Sequence, residues 1–367
     1  AQAQSLICEI LPQCQLVGMK IFIAAACSAV AQMPFPASPE MDPNITPDLT
    51  PYEPVGGPAP KNVPLPFNTA QCFVDATWDE KEVQTTKDIQ YGGAYNKYTQ
   101  KNETLMMDIY SPPASDARKA RPAVVLMHGG AFLSGGKTDG DVVSEAKLLA
   151  ARGYVVASIT YRLIPIQDFS VLLTPTPAAV AQEDARAAVR YLRKNAGDLR
   201  IDSERMAIGG SSAGALTAMY YAYVSNCTEG ESGNPGYSSA VNTAISLSGS
   251  MKDQAFCLGI KSKTYEPYGC LVNGADLAGE IAKGDIPTVE MHGTADNVIP
   301  YINALTVHTD AQKAGVNNLL ITIPDAGHVP TGDVFDPSKE FLNQWLTFAS
   351  GALNLGQAEC PSSAFVV

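Results

Sequence analysis

Charge is scarce in this chain and mostly of one sign. Of 367 residues 17% are charged, and 25 basic side chains face 37 acidic ones, for a net charge of −12. No basic stripe is available to neutralise phosphates, which argues against nucleic acid and anionic membrane as partners. There is no dinucleotide fingerprint, phosphate loop or metal-binding cluster, so neither cofactor nor metal is expected. Internal repeats are absent, which excludes solenoids and propellers. Histidine is rare, with four in the chain, so any general base has to be sought among His128, His292, His308 and His328.

What is present is apolar: 46% of the residues are hydrophobic, enough to bury one large core. Near the start, Met19-Lys20 precedes the apolar stretch Ile21 to Ala31, which ends in an Ala-x-Ala pattern before Gln32. The stretch is too short to cross a bilayer and reads as a secretory signal, with residues 1–18 as an upstream extension and no stable membrane insertion. Asn44, Asn102 and Asn226 open triplets matching the glycosylation sequon, as expected of an exported glycoprotein. Cleavage after residue 31 would leave Cys72, Cys227, Cys257, Cys270 and Cys360. Five is odd, so at least one has no intramolecular partner. Cys257 and Cys270 are the nearest pair, and a disulfide is expected there, against the alternative of two unpaired thiols.

Residues 32–67 are proline-rich and lack apolar periodicity, so an extended or disordered leader is expected there. The catalytic domain is expected over 68–350, with a small insert at 250–284 as the one cap candidate and a tail at 351–367. Val83 to Tyr91 and Thr104 to Tyr110 read as an edge hairpin joined across Gly92-Gly93. Pro122 to Met127 is a continuous apolar run, as in a strand covered on both faces. Thereafter strands near Tyr154–Thr160, Met206–Gly210, Thr243–Leu247, Ile286–Met291 and Leu319–Ile323 alternate with helices near Asp139–Arg152, Ala178–Asn195, Tyr301–Ala314 and Lys339–Phe348. This is an α/β pattern: a mostly parallel sheet of about eight strands flanked by helices.

The strand entering Met206-Ala207-Ile208-Gly209-Gly210 meets Ser211-Ser212-Ala213-Gly214 and then a helical run. Gly210-x-Ser212-x-Gly214 fits a nucleophile elbow, although a glycine-rich packing loop has the same composition. A serine nucleophile needs an imidazole to take its proton and a carboxylate to orient that imidazole. Asp296 and His328 follow two later strands and supply these, giving the order Ser212, Asp296, His328; Asp325 and Asp333 are the alternative acids. His292 and His308 read as ordinary structural histidines. Gly129, Gly130 and Ala213 offer backbone N–H groups for an oxyanion, and Phe132, Leu163, Val298 and Val329 are candidates to line a substrate pocket.

Six motifs carry a family resemblance between Val83 and Phe348: His128-Gly129-Gly130-Ala131-Phe132 with Gly135, Tyr161-Arg162-Leu163, Glu183-Asp184-Ala185 opening a helix, Gly210 to Gly214, the Asp296 loop and Gly327-His328. On these residues the chain resembles the α/β-hydrolase esterases of the hormone-sensitive-lipase-like and feruloyl- or carboxylesterase branches. The resemblance implies the α/β-hydrolase fold and hydrolysis of small or polymer-attached esters through an acyl-enzyme. It departs from the family at Ser211, where an acidic residue or histidine is usual, and in lacking N-terminal cap helices. A serine peptidase of the same fold and a non-catalytic binding protein are the competing classes; the first usually adds a propeller or large cap and the second usually lacks a triad residue. Acyl and alcohol specificity and oligomeric state are not encoded in any motif.

Overall fold

The computed structural model describes residues 71–165, 176–224, 229–249, 280–356 and 360. These all belong to the compact unit Pro64–Val367. The leader, the proposed signal, most of the 250–284 insert with Cys257 and Cys270, and the Asn44 and Asn226 sequons lie outside the described residues.

Eight strands form one sheet: β1 (Gln84–Asn96), β2 (Lys101–Ser111), β3 (Arg121–Met127), β4 (Val155–Ile159), β5 (Ile201–Ser211), β6 (Thr243–Leu247), β7 (Thr288–Gly293) and β8 (Asn318–Ile323). Their order is β1-β2-β4-β3-β5-β6-β7-β8. β1 with β2 and β2 with β4 are antiparallel, and every other pairing is parallel. Fully apolar runs become interior strands because helices cover both faces. On β3, Ala123, Val125 and Met127 join one core with helices α2 (Thr176–Lys194) and α4 (Ala213–Tyr223). Val124 and Leu126 join the opposite core with α1 (Gly140–Ala150) and α7 (Glu340–Ala352). The two-residue period of the strand divides one sequence run between two cores.

Chain order reverses at β3, whose neighbours are β4 on one side and β5 on the other. Such a switch point opens a crevice at the carboxyl ends of the parallel strands. Met127 pairs with Gly210 there, so the residues after β3 and after β5 leave the sheet side by side.

Two sequence expectations need correction. β1 continues through Gly92-Gly93 to Asn96, because a register irregularity absorbs the glycines and Gly92 sits where a Cβ would lie 2.1 Å from the Ser232 carbonyl oxygen. Glu183-Asp184-Ala185 is in the middle of α2 and does not open it. Buried Asp184 is there to meet Arg162: its carboxylate accepts from the Arg162 backbone N–H (2.8 Å), from Arg162 Nε (3.0 Å) and from Ser232 Oγ (2.6 Å). That anchors the segment just after β4 which carries Tyr161.

A disulfide joins Cys72 to Cys360 across a sequence separation of 288. No helix among the described residues is long and apolar enough to cross a membrane.

Candidate active site

Ser212 follows β5 directly and precedes α4, in a backbone conformation (φ 51°, ψ −115°) that L-residues rarely adopt. Its neighbours hold it there. A Cβ on Gly210 would lie 2.2 Å from the Met127 carbonyl oxygen and one on Gly214 would lie 2.1 Å from it, so the end of β3 presses on the elbow and admits only glycine at both places. Ser212 N–H donates to Leu247 O on β6 at 2.9 Å, closing the corner from the other side.

Three loops meet at the serine. His328 Nε2 lies 2.9 Å from Ser212 Oγ, and its Nδ1 lies 2.8 Å from Asp296 Oδ2. Because the Asp296 oxygen can only accept, the Nδ1 carries the hydrogen and Nε2 offers a lone pair to the serine hydroxyl. Neither Asp325, which is exposed, nor Asp333, which pairs with Lys339, takes this position.

The Asp296 loop and the His328 loop are fastened together. Thr294 N donates to Ile323 O (3.0 Å), Ala295 N to Ala326 O (2.9 Å) and Asp325 N to Thr294 Oγ1 (2.8 Å). They lie so close that a Cβ on Gly293 would fall 2.2 Å from Ala326 O. Asp296 is buried at 6% exposure, yet each of its oxygens is satisfied: Oδ1 accepts from Val298 N (2.8 Å) and Ile299 N (2.9 Å), and Oδ2 from His328. Burial pushes this carboxyl up, but hydrogen bonds from His292, His328 and Ile299 N–H, with the charge attraction of His328, outweigh it and hold Asp296 well below the usual carboxylate range.

After β3 the loop turns through three successive residues of positive φ, Gly130 (99°), Ala131 (54°) and Phe132 (61°), a strain of roughly 1–2 kcal/mol for each non-glycine. Its carbonyls are clamped. Tyr161 Oη donates to His128 O at 2.8 Å, and His128 Nδ1 donates to Gly129 O at 2.7 Å while its ring stacks on Tyr161 with centroids 4.2 Å apart. In a trans peptide the N–H points opposite to the C=O. Holding the carbonyls of His128 and Gly129 therefore fixes the N–H directions of Gly129 and Gly130, neither of which donates to any protein group among the described residues. Ala213 is the first residue of α4 and its N–H has no intrahelical acceptor. Burial holds the His128 imidazole below its ordinary pKa, so it stays neutral.

Ser211, which stands where the resemblance leads one to expect an acidic residue or histidine, donates through its Oγ to Asp141 Oδ2 in the first turn of α1. One turn further, Glu145 is buried and its carboxyl is pushed up to about 8 by desolvation and then by the nearby Asp141. No sequence signal links Ser211 to Asp141, 70 residues earlier.

The four pocket candidates fall in different settings. Val298 and Val329 are half-buried beside the acid and the base; Val298 N binds Asp296 and Val329 N binds Ser248 Oγ at 3.1 Å. Leu163 is half-buried and packs on the core, its carbonyl accepting from Asn96. Phe132 is buried, edge-on to Tyr161 at 6.2 Å. Among the described residues no cluster of side chains is arranged to hold a metal ion.

The BD-FAE family profile matches residues 107–255, a span that includes the His128 loop and the Ser212 elbow. Carboxylesterase NlhH of Mycobacterium tuberculosis is 38% identical over 106 residues, covering 29% of this chain and 30% of that protein. Human carboxylesterase 3 is 26% identical over 225 residues, 54% of this chain and 38% of that one. The chain thus spans about a third of the length of these curated relatives. Among solved structures, a truncated carbohydrate esterase from gut microbiota superposes with a TM-score of 0.59 at 20% identity, covering 76% of this chain and all of that one. Butyrate-bound esterase 2 of Thermogutta terrifontis gives 0.52 at 22%, covering 74% and 92%. The sheet order, the strand-end placement of the loops and these likenesses agree: the chain has the α/β-hydrolase fold, and the relatives and solved structures just named are esterases.

Proposed function

We propose that this protein is a serine carboxylic-ester hydrolase acting through an acyl-enzyme on small or polymer-attached esters. The observation that carries the proposal is the continuous path Ser212 Oγ, His328 Nε2, His328 Nδ1, Asp296 Oδ2, with both links under 3.0 Å. As Ser212 Oγ attacks the ester carbonyl, its proton passes to His328 Nε2, and Asp296 stabilises the imidazolium that results. The carbonyl oxygen gains charge between the N–H groups of Gly129, Gly130 and Ala213, each such donor contributing roughly 10²–10³ in rate. His328 returns the proton to the departing alcohol. A water then repeats the sequence on the acyl-enzyme, with His328 again as base, and releases the acid.

Export is part of the same reading. It rests on the segment Met19–Ala31 and is supported by the Cys72–Cys360 disulfide, a bond favoured in oxidising compartments.

The test is hydrolysis of a chromogenic acetate or butyrate ester by the wild type and by Ser212→Ala with its fold checked by circular dichroism. Hydrolysis lost only in the variant is expected. Turnover persisting in it, or peptide cleavage without ester cleavage, overturns the proposal.

A further inference from the structure

Asp296 has a second imidazole on it. His292, the penultimate residue of β7, is fully buried, and its Nε2 lies 3.2 Å from Asp296 Oδ2 and 2.8 Å from Ile299 O. Both neighbours are acceptors, so Nε2 carries the hydrogen, which it donates to Ile299 O while the same N–H edge faces Asp296 Oδ2. The opposite ring nitrogen, Nδ1, is buried with no hydrogen-bonding partner among the described residues, which leaves the donating edge of the ring turned toward the acid. The ring is held from the side by Tyr301 on α5 (Tyr301–Ala314), edge to face at 6.1 Å.

The Asp296 carboxylate therefore accepts three hydrogen bonds, Val298 N and Ile299 N on Oδ1 and His328 Nδ1 on Oδ2, and has a fourth, longer contact at 3.2 Å from His292 Nε2 to Oδ2. That fills its lone-pair directions, and His328 shares its oxygen with a donor that cannot take part in proton transfer to the substrate. We propose that His292 is a positioning residue for the reaction: it fixes the orientation of the Asp296 carboxylate and moderates the charge that Asp296 presents to His328. This deepens the serine-hydrolase reading and rests on it. The sequence reading took His292 for an ordinary structural histidine at a strand end; only the return of the chain from Asp296 to Ile299 brings the ring against the carboxylate.

Removing the donor leaves more negative charge facing His328, which stabilises the imidazolium and raises the pH at which His328 deprotonates. Other titratable groups on the packed elements are Glu290 on β7, Tyr301 on α5, and Asp325, Asp333 and Lys339 beyond β8. Asp333 and Lys339 pair with each other, and Asp325 is exposed.

The experiment compares His292→Gln, whose amide nitrogen falls near the position of Nε2, with His292→Asn, which is too short to reach Asp296. His328 is titrated by NMR in each full-length protein, and the pH profile of kcat is recorded alongside. In His292→Asn the His328 midpoint and the acid limb of kcat are expected to rise together by about one pH unit, with kcat at neutral pH roughly three- to fivefold lower and KM little changed. In His292→Gln both stay near the wild type. Should His292→Asn not fold, the His292→Gln midpoint is compared with that of His292→Leu refolded in its place. An unmoved His328 midpoint on loss of the donor overturns the inference. The titration needs no turnover, so an inactive wild type would refute the hydrolase reading while leaving this result readable.

Discussion

Asp296→Asn is the most informative single change, because the surroundings of this carboxylate leave an amide no good orientation. Four donors converge on it: two backbone N–H groups on one oxygen and two imidazoles on the other. An asparagine has one oxygen to accept and brings two donors of its own. With its oxygen toward the imidazoles, its NH₂ confronts the half-buried Val298 N–H and the buried Ile299 N–H, so both lose this acceptor at about 1–3 kcal/mol each. Turned round, its NH₂ confronts His328 and forces the hydrogen of that ring onto Nε2, where the serine needs a lone pair. The wrong tautomer in a comparable triad costs roughly 10⁴ in kcat. The first orientation thus predicts a loss of roughly 2–6 kcal/mol of stability, and the second a fall in kcat of roughly 10³–10⁴. Urea denaturation and steady-state ester hydrolysis on the same preparation read both. A variant with wild-type stability and a kcat within tenfold of wild type would refute the assignment of Asp296 as the acid and the four-donor geometry together.

Other consequences can be checked separately. Tyr161→Phe removes the hydroxyl that fixes the His128 carbonyl, so kcat should fall about tenfold with KM nearly unchanged, measured on a short-chain ester. Gly214→Ala places a methyl 2.1 Å from Met127 O, and soluble folded protein should be lost or its thermal midpoint sharply lowered. Breaking the Cys72–Cys360 bond frees a loop of 288 residues in the unfolded chain, worth up to roughly 6 kcal/mol by loop entropy. Cys72→Ser with Cys360→Ser should lower the urea midpoint and leave kcat intact. Glu145 and Glu290 both have carboxyls raised by burial to about 8. Their neutral forms favour the folded state fully below about pH 4.5, and this contribution is lost as pH rises toward 8. Stability at pH 8 should therefore be increased, and the slope between pH 5 and 8 flattened, in Glu145→Gln.

The fold was readable wherever local pattern and burial coincide. The run Pro122–Met127 could only be an interior strand, and the alternation after it could only be a parallel sheet with helices on both faces. Ser212, Asp296 and His328 were readable for the same reason: each closes or follows a recognisable strand, and the topology of such a sheet delivers strand ends to one edge. What could not be read depends on contacts between residues distant in sequence. Nothing near Ser211 announces Asp141, nothing near Cys72 announces Cys360, and nothing in Tyr161-Arg162-Leu163 announces that the Tyr161 ring stacks on His128. Asp184 was assigned to a helix start because its buried partner, Arg162, lies on another element. β1 was ended early at Gly92-Gly93, since glycines that normally mark a turn here allow close approach of the Ser232 backbone.

The central claim is that Ser212 is the nucleophile activated by His328. Paraoxon, an organophosphate that transfers its diethylphosphoryl group to an activated serine hydroxyl with loss of p-nitrophenolate, serves as a direct probe. The protein is treated with paraoxon and examined by intact mass spectrometry and peptide mapping, alongside Ser212→Ala and His328→Ala. The account predicts one diethylphosphoryl group, carried on Ser212, with ester hydrolysis lost in proportion; no adduct should form in Ser212→Ala, and labelling in His328→Ala should be slowed by roughly 10³ or more. An adduct on any other residue that accompanies loss of activity, or hydrolysis that continues after Ser212 is fully modified, would contradict it.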